Sequence, residues 1–173
     1  MFDQNTLAGA FGMAGFILIA LWPLARTRRV LLAGQAASAL AFAAHYLLIG
    51  ATTGAAATFL SLLQAATAWP AGARPLWCRA AFAATMPALA ALAWASWAGW
   101  PSAWATIGTV AASAARWSAQ PATMRFLFAI SALAWLAHDV STNSVPGMLA
   151  DLACCATLFY GWMRDRAGKH TPE

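Results

Sequence analysis

A chain of 173 residues has the length of one ordinary soluble domain, yet 62% of its residues are hydrophobic and only 9% are charged. A surface in water needs about a quarter of its residues charged, so the composition excludes a water-soluble globule and points to an integral membrane protein. The net charge of +5 does not signal nucleic-acid binding, because the cations collect in short segments between apolar runs, as they do in membrane proteins.

The first apolar run covers about residues 7–25. Asp3 precedes it and Arg26, Arg28 and Arg29 follow it. A cleavable signal has the opposite order, so the first helix is expected to be kept with its N-terminus outward. Gly9, Gly12 and Gly15 form a face of small residues that another helix can approach closely. The second run, about 30–49, carries Gln35, Ser38, Phe42 and His45 at spacings of three, four and three. That spacing places them on one helical face, and a polar stripe in a lipid-embedded helix is expected to face the bundle interior. After a charge-free turn at 50–54, the third run, about 55–69, contains Gln64. The loop Pro70 to Pro75 breaks the pattern. A fourth run, about 79–97, has Pro87 inside it, and Trp94, Trp97, Trp100 and Trp104 cluster around Gly99 and Pro101 as an interfacial aromatic belt. The fifth run, about 102–117, includes Thr106, Thr109, Ser113 and Arg116. The sixth and seventh cover about 124–140 and 145–163.

One string occurs twice. Ser38 to His45 returns as Ser131 to His138, 93 residues later, with six of eight positions identical. Gly54 and Gly147 follow the two histidines at the same distance, and Gly15 is matched by Gly108. The expected fold is all-α: a polytopic bundle of seven transmembrane helices in a 3+1+3 order within a single membrane domain, 1–173. Repeat 1 covers about 7–69, a linker helix about 79–97, repeat 2 about 102–163, and a short cytoplasmic tail 164–173. The loop charges support this count. With the N-terminus outside, all ten Lys and Arg residues lie in inward regions: Arg26, Arg28, Arg29; Arg74, Arg79; Arg116, Arg125; and Arg164, Arg166, Lys169. An odd linker makes the two triple-helix units parallel, as in transporters with a site at the repeat interface.

Several residues could carry chemistry at that interface. His45 and His138 could flank a shared cavity and bind a solute or a proton, or each could simply cap a helix end or bond a neighbouring backbone carbonyl. Asp151 is the deepest acid, and an intramembrane carboxylate suggests function. A paired or wet carboxylate is the plainer alternative. Asp139 reads as a solvated loop residue or an N-terminal partner of the last helix. Ser38 and Ser131 could donate to a solute or bond across helices, and Gln35 and Gln64 face the same choice. Phe42 and Trp135 could form a stacking platform or ordinary core. Asn143 and Ser144 are candidate caps of the seventh helix. The three cysteines, Cys78, Cys154 and Cys155, offer neither a disulfide framework nor metal-ligand spacing, and no cofactor is implied. A hydrolase drawn from Ser131, His138 and Asp151 is weakly supported, because the first two stand two helical turns apart, ~10 Å along the axis.

The segments Gln35 to Gly54 and Met124 to Gly147, with their His–Gly spacing, resemble the bacterial inner membrane protein family of the YgjV type. The resemblance spans nearly the whole chain and implies a multi-pass protein of the bacterial inner membrane. The 3+1+3 order also resembles the architecture of SWEET and PQ-loop transporters. The Pro-Gln dipeptide is absent, however: Pro23 falls on Arg116, and Gln120-Pro121 has the reverse order.

The expected function is therefore a small-solute carrier or facilitator, not an enzyme, with a cavity lined by Ser38, Phe42, His45, Ser131, Trp135, His138 and Asp151. Its expected partners are the lipid bilayer and a small polar solute, with no nucleic acid, and homo-oligomerisation is open by analogy. The alternative is a non-transporting scaffold, sensor or assembly partner. The expected topology is a periplasmic N-terminus and a cytoplasmic C-terminus.

Overall fold

The computed structural model describes residues 3–25, 27–70, 74–118 and 121–167. Arg26, Gln120, Lys169 and the middle of the Pro70–Pro75 loop lie outside the described residues. Among the described residues there are seven α-helices and no strand. They are α1 (Gln4–Leu21), α2 (Arg28–Leu48), α3 (Thr52–Thr67), α4 (Leu76–Ala95), α5 (Trp100–Trp117), α6 (Pro121–Thr142) and α7 (Val145–Ala167), with a short 3₁₀ turn, Trp22–Leu24, after α1.

The helix ends follow from local chemistry. Asp3 caps α1 by accepting from the Thr6 N–H at 2.9 Å, and Thr27 caps α2 through Val30 N–H. Pro23 sits in the 3₁₀ turn where α1 stops. The α2–α3 and α6–α7 turns both need a left-handed residue, at Gly50 (φ 80°) and Asn143 (φ 56°), which are 93 residues apart. Gly and Asn tolerate that conformation best. Ser144 then caps α7 by accepting from the Gly147 N–H at 3.2 Å.

The helices close a ring. α1 packs on α2 and α7, α2 on α3, α3 on α5, α5 on α6, and α6 on α7. α4 stands outside this ring against α3 and α5, fastened by hydrogen bonds at its C-terminal end and at its middle. At one end the Thr53 hydroxyl donates to the Ser96 carbonyl at 2.6 Å and meets the Ser102 hydroxyl at 2.9 Å. At the middle, Gln64 Nε2 donates to Thr85 Oγ1 at 2.8 Å. Small residues let the helices approach. A methyl group on Gly15 would stand 2.7 Å from the Phe42 ring, and one on Gly108 2.6 Å from the Trp135 ring. Gly12 is closed off by Pro146 and His45, whereas Gly9 has open space around it. The expected three-glycine contact face is therefore a two-glycine one, because α1 turns Gly9 away from its neighbours.

Polarity runs from the inside out, opposite to a protein in water. Leu40, Leu47, Phe126, Leu133 and Phe159 point outward, and Trp94 (86% exposed), Trp97 and Trp100 crowd the α4–α5 turn. Inside lie Gln35, Ser38, Gln64, Thr109, Ser113, Arg116, Ser131, Asp139 and Asp151. Such a surface is stable against lipid and unstable against water. Four helical stretches are long and apolar enough to cross a membrane: Gln4–Leu24, Arg29–Leu48, Leu76–Ala95 and Val145–Arg164. α3 is shorter, at 16 residues. α5 carries the polar stripe Thr109, Ser113 and Arg116, all buried against other helices.

Candidate functional site

A cavity of about 100 Å³ lies between α1–α3 and α5–α7. Its walls pair positions 93 residues apart: Ser38 with Ser131, Phe42 with Trp135, Tyr46 with Asp139, Thr58 with Asp151, and Ser61 with Cys154. Five of the expected residues, Ser38, Phe42, Ser131, Trp135 and Asp151, line it. His45 and His138 do not. Each is spent on the end of a neighbouring helix. His45 Nδ1 lies 2.8 Å from the Ala8 carbonyl of α1, and His138 Nδ1 lies 2.9 Å from the Pro101 carbonyl of α5. Because a carbonyl oxygen only accepts, Nδ1 carries the proton in both rings.

The two histidines differ at the other nitrogen. His45 Nε2 meets the Ser144 hydroxyl at 2.9 Å. The position matching Ser144 is Ala51, which has no hydroxyl, and His138 Nε2 is buried without a partner among the described residues. It lies instead against Gly54, where a methyl group would stand 2.6 Å from it. Ser131 donates to the Gly108 carbonyl at 2.8 Å and Ser38 to the Gln35 carbonyl at 3.0 Å. Ser131 and His138 thus bond to α5 backbone rather than to one another.

Aromatic rings cross the middle of the bundle. Phe42 stacks on Tyr46 with ring centroids 5.6 Å apart, and Tyr46 stacks on Trp135 at 5.8 Å. The Tyr46 hydroxyl donates to Asp139 Oδ1 at 2.6 Å, so the two matched positions bond to each other across the cavity.

Asp139 corrects the expectation of a solvated loop residue. It is 1% exposed, within α6, and its carboxyl accepts from the Tyr46 hydroxyl and lies near Asp151 and Ser144. It does meet the start of α7, as the other half of that expectation held: the Asp139 carboxyl lies directly against Gly147, leaving no space for a side chain there.

The opposite end of the cavity is cationic. Arg116, read from the sequence as a loop cation, is 6% exposed and turned inward. Its Nε donates to Gln35 Oε1 at 3.1 Å and its Nη1 to Gln64 Oε1 at 2.7 Å, and Ser113 also donates to Gln64 Oε1 at 2.8 Å. Gln35 and Gln64 therefore present their carbonyl oxygens to the guanidinium. Gln35 Nε2 is left without a partner among the described residues, as is Asp151 Oδ2, and both side chains line the cavity. Arg116 had a signal in the sequence: it continues the Thr109–Ser113 stripe at a spacing of three. Tyr46 had one too, since it matches Asp139 under the 93-residue offset. Among the described residues no group of His, Cys, Asp and Glu is arranged to hold a metal ion.

An α-helical bundle with a lipid-compatible exterior and a polar interior defines a polytopic membrane protein. The chain belongs to the bacterial inner membrane protein family Imp-YgjV, which matches residues 6–169. No curated protein and no solved structure matches it.

Proposed function

We propose that the protein is an inner-membrane carrier or facilitator of a small polar solute, and that the cavity is its binding site. The observation that carries this reading is the pair of unpartnered polar atoms, Gln35 Nε2 and Asp151 Oδ2, buried in walls of one cavity. A buried polar atom without a partner costs about 1–3 kcal/mol, which a bound solute or water recovers. In this reading Ser38, Ser131 and Asp151 supply hydrogen bonds and the Phe42 and Trp135 rings close the walls. His45 and His138 act from behind by holding helix ends.

The architecture in this proposal is two parallel triple-helix units, α1–α3 and α5–α7, joined by α4. It is supported by packing that recurs at a 93-residue offset: His45 to Ala8 and His138 to Pro101, Gly15 under Phe42 and Gly108 under Trp135. All seven helices span in this reading, with the N-terminus periplasmic, because every Lys and Arg then falls on the cytoplasmic side.

Uptake and binding of sugars, amino acids and vitamins by the purified protein in vesicles tests the proposal. A solute whose uptake is lost in Asp151→Asn and Gln35→Leu supports it. No uptake and no binding across the panel would refute it. A stoichiometric partner recovered from detergent would then favour the scaffold alternative.

A further inference from the structure

The cationic end of the cavity is short of acceptors. Arg116 is 6% exposed and lines the cavity. Among the described residues its hydrogen bonds go to neutral amide oxygens, Gln35 Oε1 at 3.1 Å and Gln64 Oε1 at 2.7 Å, and to no Asp or Glu. A buried charge is as a rule paired with one of opposite sign. The carbonyl end of α5 favours a cation at this position, which accounts for an arginine there but not for what lies beside it. Because a guanidinium only donates, it fixes the Gln35 amide with Oε1 toward Arg116, and Nε2 is left as a donor. That nitrogen is buried without a partner among the described residues, on a side chain 5% exposed that lines the same cavity. Gln64 has nothing further to accept with: its Oε1 is shared by Arg116 and Ser113, and its Nε2 donates to Thr85. We propose that Arg116 and Gln35 form a subsite for a carboxylate of the solute, the guanidinium supplying the charge and Gln35 Nε2 a second N–H.

The charge count selects a carboxylate over a phosphate. One guanidinium balances one negative charge, and Asp139 and Asp151 line the same cavity, so a dianion would keep buried charge uncompensated. A carboxylate also presents two acceptor oxygens in one plane, which suits N–H groups from two adjoining planar side chains. The wall beside them is apolar: Trp22 and Phe128 meet edge to face at 5.3 Å, and both line the cavity. In such surroundings a charge-assisted hydrogen bond is stronger than in water.

The subsite occurs once. Under the 93-residue offset Arg116 and Gln35 match Pro23 and Phe128, neither of which has a side-chain donor. The two halves of the cavity are alike in their serines and rings but not in charge, so a carboxylate bound there has one orientation, with its charged end toward Arg116.

This subsite gives the proposed carrier a solute class, a monocarboxylate, and rests on that reading. Its test measures binding rather than transport. Thermal unfolding of the purified protein in detergent, at constant ionic strength and chloride, is followed as acetate or lactate is added. Each is compared with its neutral amide, acetamide or lactamide, and with inorganic phosphate. The expected result is a saturable rise in melting temperature with the carboxylates and none with the amides or with phosphate. Gln35→Glu puts a carboxylate of the chain's own against Arg116, so the affinity for acetate and lactate should fall by about tenfold or more. A purely structural Arg116 does not predict that loss. Equal responses to a carboxylate and its amide, no response to either carboxylate, a response to phosphate alone, or undiminished affinity in Gln35→Glu overturns the subsite. If that variant does not fold, the wild-type comparison decides. Carboxylate binding by a protein that transports nothing would count against carriage alone, whereas uptake of neutral solutes without any response to carboxylates would remove the subsite and leave carriage standing.

Discussion

Replacing Gly15 with alanine tests the central packing of the bundle. The added methyl would stand 2.7 Å from Phe42 Cδ2 and Cε2, well inside the ~3.5–4.0 Å optimum for carbon pairs. The ring has little room to retreat, because it stacks on Tyr46 and sets its edge against His45 at 5.9 Å. Overpacking of this kind costs about 1–3 kcal/mol, while alanine in a helix interior regains about 0.8–1.0 kcal/mol over glycine. The net expectation is a loss of up to about 2 kcal/mol. Gly9→Ala is the internal control: it lies in the same helix with open space around it, so it should gain up to about 1 kcal/mol. Thermal unfolding in detergent reads both. Combining Gly15→Ala with Phe42→Leu should recover part of the loss, as expected for residues in contact. If Gly15→Ala matches or exceeds Gly9→Ala in stability, the assigned close approach of α1 to α2 is wrong.

Other outcomes follow from the same contacts. Ala51→Ser places a hydroxyl where the first turn of α3 has no side-chain cap and where His138 Nε2 lacks a partner; a cap adds about 1 kcal/mol and a buried hydrogen bond about 0.5–1.5. The melting temperature should rise, and no rise would contradict the correspondence between Ala51 and Ser144. Arg116→Met removes the guanidinium that Gln35 and Gln64 both serve, and charge-assisted hydrogen bonds contribute about 1.5–3 kcal/mol each. Loss of stability, only partly recovered by lysine, is expected from denaturant titration in detergent. An unchanged Arg116→Met protein would mean that the side chain turns outward. Reporter fusions should place the N-terminus and residue 99 on one side of the membrane and residue 74 and the C-terminus on the other. A C-terminus on the same side as residue 99 would sink the proposed seven spans.

Helix positions were legible because each apolar run ends in a cue that acts locally. The basic residues after position 25, the Pro70–Pro75 loop and the Gly99–Pro101 turn need no tertiary information. The polar stripe of α2 was equally plain, since lipid leaves a polar face only one direction to point. What escaped was decided by contacts between distant segments. Arg116 sits one residue from the end of α5, where a side chain can reach outward or back inside, and the Gln35 and Gln64 carbonyls draw it in. Asp139 follows His138 and precedes a turn, which reads as surface. Tyr46 and the start of α7 bury it instead. The histidines carried the most visible repeat in the chain, yet their ring nitrogens serve helix ends, and repetition alone could not distinguish that from a solute site.

The placement of α4 makes the two seams of the ring unequal. Where α3 meets α5, an outer helix is bonded across the joint, through Thr53, Ser96 and Ser102 at its C-terminal end and Gln64 and Thr85 at its middle. Where α1 meets α7, no helix among the described residues braces the joint from outside, and the contact includes Gly12 against Pro146. A bundle built this way has a spine and a fore-edge. In the proposed carrier, parting of the halves along α1 and α7 would leave the α3–α4–α5 joint bonded, with the Tyr46–Asp139 hydrogen bond as the clasp that must give way between facing pages.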